Sequence, residues 1–224
     1  MIQLVGNCHS LISQHLSMGI LGRMVVSVLP IMPKFIVGRV SRRYHAGEDL
    51  DSALDTMARL SEEGACFTID VLGEEITSME EVKFFTEEYD RVLDAIVSRK
   101  IDANLSIKPT AFGLLIDPKM AEESMENLLR KAAKHDIFVR LDMEDHRVTQ
   151  STIDLVLLLH DKGLTNVGTV LQGRLFRTIN DIENIEKNLG PLADHRICKG
   201  IYLESGQIAH TDKKSITKAT NKAI

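Results

Sequence analysis

The chain has 224 residues, of which 44% are hydrophobic and 26% are charged, and its formal net charge is −5. This composition is ordinary for a globular protein with a substantial core, and the acidic balance argues against a nucleic-acid partner, which would need a basic surface. The three cysteines, Cys8, Cys66 and Cys198, are odd in number and widely spaced. We therefore expect small, reduced core cysteines in a cytoplasmic protein rather than a disulfide scaffold.

An N-terminal helical segment, residues 1–47, is predicted ahead of the main domain. It contains the most apolar stretch of the chain, from Leu16 to Ile36, which one arginine, two prolines and one lysine interrupt. A membrane-spanning helix needs about 20 consecutive apolar residues, so this stretch does not predict one. We expect a helix that packs on the domain, with peripheral contact at the inner membrane as the alternative.

From residue 48 onward, helical and strand-like segments alternate five times. Ser78 and Glu81 have the spacing of a capping box, Pro118 suits a first helical turn, and Gly64 suits a helix stop. The predicted order is helix 48–64, strand 65–74, helix 78–100, strand 101–110, helix 117–136, strand 137–145, helix 149–163, strand 166–172, helix 178–190, strand 196–202 and the start of a helix at 212.

The predicted strands are almost continuous apolar runs, which indicates a parallel sheet buried on both faces. Two architectures fit, a doubly wound sheet and a (β/α) barrel, and no glycine-rich dinucleotide or phosphate loop follows a strand. Each strand is apolar at its start and polar at its finish, which favours a barrel with these ends around one mouth, although polar residues also simply begin loops there. The finishing residues are Asp70, Glu74, Lys108, Asp142, Glu144, Gln172, Lys199 and Tyr202.

Three of these positions, and Gly200 beside them, invite a chemical interpretation from the residues alone. Asp142 lies inside an apolar run, so its carboxylate needs a cationic partner, for which Lys108 and Arg196 are candidates. Lys108 is either a Schiff-base nucleophile or a fixed charge beside a ligand. Gln172 suits hydrogen bonding to the amide-like edge of a heterocycle, and Gly200 would let a flat ligand approach the backbone.

The densest polar cluster is "RLDMEDHR", residues 140–147. It lacks the spacing of a known metal motif, so we expect a loop with solvated charges and no metal site.

The segments "FTIDVLGE", "LSIKPTAFGL", "FVRLDMED", "NVGTVLQGRLFRT" and "RICKGIYLE" occur in order. Together they resemble the monofunctional bacterial proline dehydrogenases, over roughly residues 35–224. The resemblance implies an α/β fold with a (β/α)8-type barrel, of which residues 48–224 would supply about five βα units. It also implies FAD as cofactor, oxidation of L-proline to Δ1-pyrroline-5-carboxylate by hydride transfer, and quinone as electron acceptor.

The resemblance also implies roles for individual residues. Asp142 and Arg196 would be catalytic, with Arg196 beside the reactive edge of the flavin. Lys108 and Tyr202 would bind the substrate. The residues that would contact the cofactor are Met143, Gln172, Cys198, Lys199 and Gly200.

This sequence departs from the family pattern in two ways. Arg174 stands where relatives usually have an aromatic residue, and three further strands with an arginine-bearing helix are expected beyond Ile224 but are not in this chain. If the protein ends there, we expect weak FAD retention, negligible turnover and self-association through the open barrel edge. Two alternatives remain at this stage, a barrel lyase or aldolase that uses Lys108 as a Schiff base, and an inactive partial barrel that needs a complementing chain.

Overall fold

A computed structural model describes residues 49–73 and 76–224 of the chain. The predicted N-terminal segment, its apolar stretch and Glu74 lie outside the described residues. The chain divides into two compact units, Met1–Leu60 and Ser61–Ile224. The domain boundary predicted between residues 47 and 48 stays a prediction.

Helices and strands alternate along the described residues, as the sequence pattern predicts. In chain order they are α1 (Leu50–Ser61), β1 (Phe67–Ile69), α2 (Met79–Arg99), β2 (Ala103–Ile107), α3 (Pro118–Ala133), β3 (Val139–Leu141), α4 (His146–Asp161), β4 (Val167–Gln172), α5 (Thr178–Leu189), β5 (His195–Cys198) and α6 (Lys213–Ala223). Short 3₁₀ helices follow β2 at Pro109–Phe112 and α5 at Gly190–Leu192.

The five strands form one parallel sheet in the order β1-β2-β3-β4-β5, so every strand pairs with its neighbour in sequence. Parallel neighbours need crossover connections, and here α2, α3, α4 and α5 supply them. A sheet whose spatial order equals its sequence order does not have the strand reversal of a doubly wound fold. The architecture is an α/β half-barrel, which confirms the fold class expected from the sequence.

Local sequence signals determine where several helices begin. Ser78 accepts a hydrogen bond from the Glu81 backbone N–H while the Glu81 carboxylate accepts from the Ser78 backbone N–H, so the predicted capping box closes at the start of α2. Asp117 caps α3, and Pro118 occupies the first turn. Asp145 caps α4, which begins at His146, three residues earlier than the sequence pattern predicts.

The apolar core lies between the sheet and the crossover helices. Every residue of β4 is buried, and Leu105 and Ile107 on β2 are fully excluded from solvent. The two outermost strands of the described sheet, β1 and β5, are only partly covered, so the expectation that all strands are buried on both faces is wrong for them. They differ because each pairs with one neighbour instead of two.

Two further expectations need correction. The fifth strand ends at Cys198 instead of Tyr202, because Gly200 adopts a φ of +89°, which lies outside the extended region. The cysteines are not all core residues, since Cys66 is exposed and Cys198 is half-buried. Cys8 lies outside the described residues.

No helix among residues 49–73 and 76–224 is both long enough and apolar enough to cross a membrane. Both interpretations of the N-terminal apolar stretch, a helix packed on the domain and peripheral membrane contact, concern residues that are not described.

Candidate active site

The carboxyl ends of the five strands bring most of the predicted site residues to one edge of the sheet. Lys108 follows the last residue of β2, Asp142 follows β3, and Gln172 ends β4. The register pairs Ile107 with Leu141, so Lys108 and Asp142 leave β2 and β3 at the same height. Leu141 pairs with Thr169, so Gln172 lies farther along the same edge. The predicted gathering of polar side chains at a barrel mouth is therefore present in the structure.

Lys108 lies in an ion pair with Asp70, which follows the last residue of β1. The Lys108 Nζ lies 3.0 Å from Asp70 Oδ2, and the side chains are 14% and 27% exposed respectively. The other carboxylate oxygen, Asp70 Oδ1, accepts a hydrogen bond of 2.8 Å from the hydroxyl of Tyr89. A charged amine with so little exposure keeps its counter-ion close, because desolvated charges are costly without a partner.

Asp142 pairs with Arg196 on β5, one of the two partners that the sequence suggests for it. The Arg196 Nη2 lies 3.1 Å from Asp142 Oδ1, and the side chains are 43% and 27% exposed. The Asp142 backbone N–H donates to the carbonyl of Ile107 at 2.8 Å, which continues the β2–β3 pairing beyond the strands. The two ion pairs place two cations and two carboxylates at the strand ends, so their charges balance.

Gln172 is held in one orientation by a buried network of hydrogen bonds. Its Nε2 donates to the carbonyl of Glu144 at 2.6 Å, and the Glu144 carboxylate accepts from the backbone N–H and the hydroxyl of Thr110. Gln172 is 1% exposed and Glu144 is 4% exposed. The expectation of a loop with solvated charges at residues 140–147 is therefore wrong for Glu144, whose carboxylate is instead satisfied by the 3₁₀ helix after β2.

The segment after β5 approaches Gln172 through Gly200. A Cβ atom at residue 200 would overlap Gln172 Oε1 and also Arg174 Cδ, so only glycine fits there. Gln172 Oε1 is buried and has no hydrogen-bond partner among the described residues. Because Nε2 is already used, this oxygen remains as an acceptor for an N–H group of a ligand.

Arg174 occupies the position where relatives usually have an aromatic residue, and it is 6% exposed. Its Nη1 donates to the carbonyl of Tyr202, its Nη2 donates to the carbonyl of His210 at 3.4 Å, and its backbone N–H donates to the carbonyl of Lys199 at 3.3 Å. Arg174 therefore fastens the segment after β5 to the end of β4.

Glu204 fixes the same segment to a third strand end. Its side chain is 1% exposed and accepts from the His146 backbone N–H at 2.9 Å, while one carboxylate oxygen lies 2.7 Å from His146 Nδ1. This contact joins the residues after β5 to the first turn of α4.

The remaining predicted site residues have mixed surroundings. Lys199 is exposed and Tyr202 is half-buried. Met143 is 5% exposed and packs in an apolar cluster with Ile153 and Ile185. The structure thus does not bring the Met143 side chain into the polar group. Cys198 is half-buried against the same apolar cluster, and burial raises the pKa of its thiol.

Several residues that hold the candidate site in place received no role from the sequence. Asp70 was recognised as a strand-end residue but received no role, and Tyr89 was not singled out. A signal for Tyr89 exists, because a phenol on the buried face of a helix needs a hydrogen-bond partner. Glu144 and Glu204 carried no distinguishing signal, since acidic residues in loops are usually solvated.

The residues at this edge fit a flat heterocyclic cofactor. The unpartnered, buried Oε1 of Gln172 needs an N–H donor, and the backbone at Gly200 packs directly beside it. The Arg196 guanidinium supplies a cation at the same strand ends. No group of three or more His, Cys, Asp or Glu side chains that could hold a metal ion occurs among the described residues.

Comparison with known proteins gives a consistent result. The family model described as proline dehydrogenase matches residues 53–222. Proline dehydrogenase 2 of Bacillus subtilis strain 168 is 35% identical over 178 residues, which cover 80% of this chain and 57% of that protein. Proline dehydrogenase of Deinococcus radiodurans is 30% identical over 181 residues, which cover 79% of this chain and 57% of that protein. The chain thus spans somewhat more than half the length of these curated relatives.

A solved structure of proline utilization A from Bdellovibrio bacteriovorus superposes on this chain with a TM-score of 0.71 at 20% sequence identity. The match covers 80% of this chain and 23% of the other. At this identity the likeness shows the fold.

Proposed function

This chain belongs to the proline dehydrogenase family, and we propose that it forms the cofactor-binding and substrate-binding half of an enzyme that oxidises L-proline to Δ1-pyrroline-5-carboxylate. The observation that carries the proposal is that Lys108, Asp142 and Gln172 lie at the carboxyl ends of three neighbouring strands. The Arg196 guanidinium, from within β5, reaches the same end of the sheet through its ion pair with Asp142. In barrel enzymes this end of the sheet carries the chemistry.

FAD is the cofactor that we propose for this site. When bound, it would accept a hydride from the ring carbon of proline that is bonded to the nitrogen and does not carry the carboxylate, and it would later pass the electrons to a quinone. Gln172 Oε1 would accept a hydrogen bond from an N–H group of the heterocycle, and Gly200 would leave room for the ring. Arg196 would stabilise negative charge at the ring edge, because a fixed cation stabilises charge that develops during reaction.

The carboxylate, the ring and the ring nitrogen of L-proline are features that these side chains can recognise. The Lys108 ammonium would bind the carboxylate of L-proline, and Tyr202 would contact its ring. Asp142 orients Arg196 through their ion pair and can accept a hydrogen bond from the ring nitrogen. Together these contacts would hold the substrate in one orientation, which is the main contribution that a protein makes to hydride-transfer chemistry.

The sequence left two alternative functions open, and the comparisons argue against one of them. The lyase or aldolase alternative is not supported, because the family match indicates an oxidoreductase and Lys108 Nζ donates to Asp70 instead of being presented as a free amine. Self-association through the outer edge of β5 and the need for a complementing chain stay predictions.

The proposal can be tested by titrating FAD into the protein and following the quenching of flavin fluorescence. Gly200→Ala should weaken FAD binding, because the added methyl group would overlap Gln172 Oε1 and Arg174 and would displace the acceptor that we propose for the cofactor. Gly163→Ala is the matched control, since Gly163 has a similar φ of +80° but nothing within 4 Å of the added Cβ. Gln172→Leu should also weaken binding, by about fivefold to tenfold, the effect of one lost hydrogen bond.

Activity is the second arm of this test. L-proline should bleach the visible absorbance of the bound flavin, and a soluble quinone should restore it. Equal FAD affinities for the wild type, Gly200→Ala and Gln172→Leu would contradict the cofactor site, and bleaching by other amino acids but not by proline would contradict the substrate.

A further inference from the structure

Tyr89 is a fully buried tyrosine whose hydroxyl reaches the candidate active site from a helix. It lies on α2, is 0% exposed, and packs its ring against Phe112 with the ring centroids 5.4 Å apart. The hydroxyl donates to Asp70 Oδ1 at 2.8 Å and accepts from the backbone N–H of Val71 at 3.2 Å. The backbone carbonyl of Ser106 on β2 is a second acceptor, 3.0 Å from the same hydroxyl oxygen. The ring thus provides packing, and the single polar atom is directed at the residues that follow β1 and at β2.

The hydrogen bond from Tyr89 determines how Asp70 faces its neighbour. With Oδ1 held by the phenol, the second oxygen, Oδ2, accepts from Lys108 Nζ at 3.0 Å. Carboxylates rotate about their last bond unless both oxygens are engaged, and here the two donors come from different elements, α2 and the end of β2. The position of the Lys108 ammonium therefore depends on Asp70, whose other carboxylate oxygen is held by a side chain of α2.

The electrostatic surroundings support this arrangement. Burial raises the pKa of Tyr89 far above its ordinary value, and the negative charge of Asp70 and the hydrogen bond to it act in the same direction. The hydroxyl thus keeps its proton at neutral pH and can act as the donor to Asp70. Asp142 also raises the pKa of Tyr89, so the charges of both strand-end carboxylates act on this hydroxyl.

We propose that Tyr89 is a positioning residue that acts through Asp70 to set where the Lys108 ammonium meets the carboxylate of an amino-acid substrate. The part of this proposal that concerns substrate rests on the proposed function. The part that concerns Lys108 stands on the Tyr89–Asp70–Lys108 contacts alone and can be tested without cofactor or substrate.

The first experiment measures the reactivity of Lys108 directly. The protein is treated with trinitrobenzenesulfonate, and the modification of the peptide that carries Lys108 is followed by mass spectrometry. Tyr89→Phe should raise the modification rate of Lys108 by about fivefold, because the ion pair loses the hydrogen bond that orders it. Asp70→Asn should raise the rate at least as much, since the counter-ion itself is lost.

Thr86→Val is the matched control for this experiment. It also removes one hydroxyl from α2, but the Thr86 hydroxyl donates to the Val82 carbonyl within the helix and does not contact Asp70. Thr86→Val should leave the Lys108 rate unchanged. A rate in Tyr89→Phe equal to that in Thr86→Val would overturn the proposal.

The double variant Tyr89→Phe/Asp70→Asn separates action through Asp70 from an independent effect. If Tyr89 acts through Asp70, the double variant should react no faster than Asp70→Asn alone. If the two substitutions raise the Lys108 modification rate independently, so that their factors multiply in the double variant, the proposal is overturned. If Tyr89→Phe does not fold, Asp70→Asn still decides whether Asp70 controls Lys108, and an unchanged Lys108 rate in that variant would overturn it.

The second experiment uses turnover with L-proline in the FAD-loaded protein. Loss of positioning should raise KM for L-proline by about fivefold while kcat changes less, because the contact with the carboxylate is made in the ground state and the transition state alike. A lower kcat with unchanged KM would contradict the substrate part. Absence of turnover in the wild type would count against the proposed function, and the Lys108 labelling would still decide the positioning role.

Discussion

Two ion pairs at the strand ends have nearly the same length and different surroundings. Lys108–Asp70 and Arg196–Asp142 join nitrogen and oxygen at 3.0 Å and 3.1 Å, but the lysine side chain is 14% exposed and the arginine side chain is 43% exposed. The first pair lies at the ends of β1 and β2 and is anchored by a buried tyrosine, whereas the second includes a residue of the outermost strand, β5. Distance alone therefore does not rank ion pairs, because solvent screening and the support of further hydrogen bonds decide their energy.

The strands that carry these pairs differ in the same sense. Ile107 on β2 is 0% exposed, with paired strands on both sides. Ile197 on β5 is half-buried, and beyond the strand Ile201 and Leu203 are 86% and 67% exposed. The β2 end is a rigid platform within the described sheet, and the β5 end is supported mainly by the Arg174 and Glu204 contacts.

The largest expected effect is a loss of stability, and it should be greater for a core residue of β2 than for the equivalent change on β5. Ile107→Ala should lower the free energy of unfolding by about 2–5 kcal/mol, because it removes three buried carbons from a fully packed site. Ile197→Ala makes the same change on β5 and should cost less than about 2 kcal/mol, since part of the side chain is already exposed. Urea denaturation followed by circular dichroism measures both, and equal losses would remove the distinction between the two regions.

The next effect compares the two carboxylates. Asp70→Asn should destabilise the protein by about 1–3 kcal/mol, because it leaves the poorly exposed Lys108 without its counter-ion. Asp142→Asn should cost about 0–1 kcal/mol, because Arg196 is exposed enough to be solvated. The same denaturation series at neutral pH tests this order, and a larger loss for Asp142→Asn would reverse the comparison.

A smaller effect concerns the start of α2, the helix that carries Tyr89. Ser78→Ala should lower the free energy of unfolding by about 1 kcal/mol, because the Glu81 backbone N–H loses its cap. Thermal unfolding measures the change, and an unaltered midpoint would show that tertiary packing alone positions this helix.

The same capping box predicts a pH dependence. Hydrogen bonds from the Thr77 backbone and from Ser78 lower the pKa of Glu81 below its ordinary value. Stability from this group is therefore fully present above its ordinary pKa and is lost as the pH falls through the lowered pKa of the folded state. The difference in thermal midpoint between wild type and Glu81→Gln should be present at neutral pH and shrink in acid, and a difference that grows in acid would contradict this assignment.

The smallest expected effect is a difference in the alkylation rate of a cysteine at the β5 end, and it needs no change in stability. Burial raises the pKa of Cys198, so at a given pH less of its thiol is ionised than in an exposed cysteine. Iodoacetamide should alkylate Cys198 more slowly than the exposed Cys66, and the Cys198 rate should still rise with pH above the usual thiol range. Peptide mass spectrometry measures both sites in one sample, and faster reaction at Cys198 would show that the β5 end is open to solvent.

The sequence by itself determined the alternation of helices and strands, the parallel sheet, the cap at Ser78, the first-turn position of Pro118, and the set of polar residues at the strand ends. These features follow from local rules, namely apolar periodicity, capping geometry and the direction in which parallel strands run. Only the tertiary structure decided that Lys108 pairs with Asp70 and Arg196 with Asp142, across 38 and 54 residues of chain. It also decided that Glu144 is buried and that Tyr89 reaches Asp70, because such contacts depend on how far each strand and helix is rotated and offset against its neighbours, which no local pattern records.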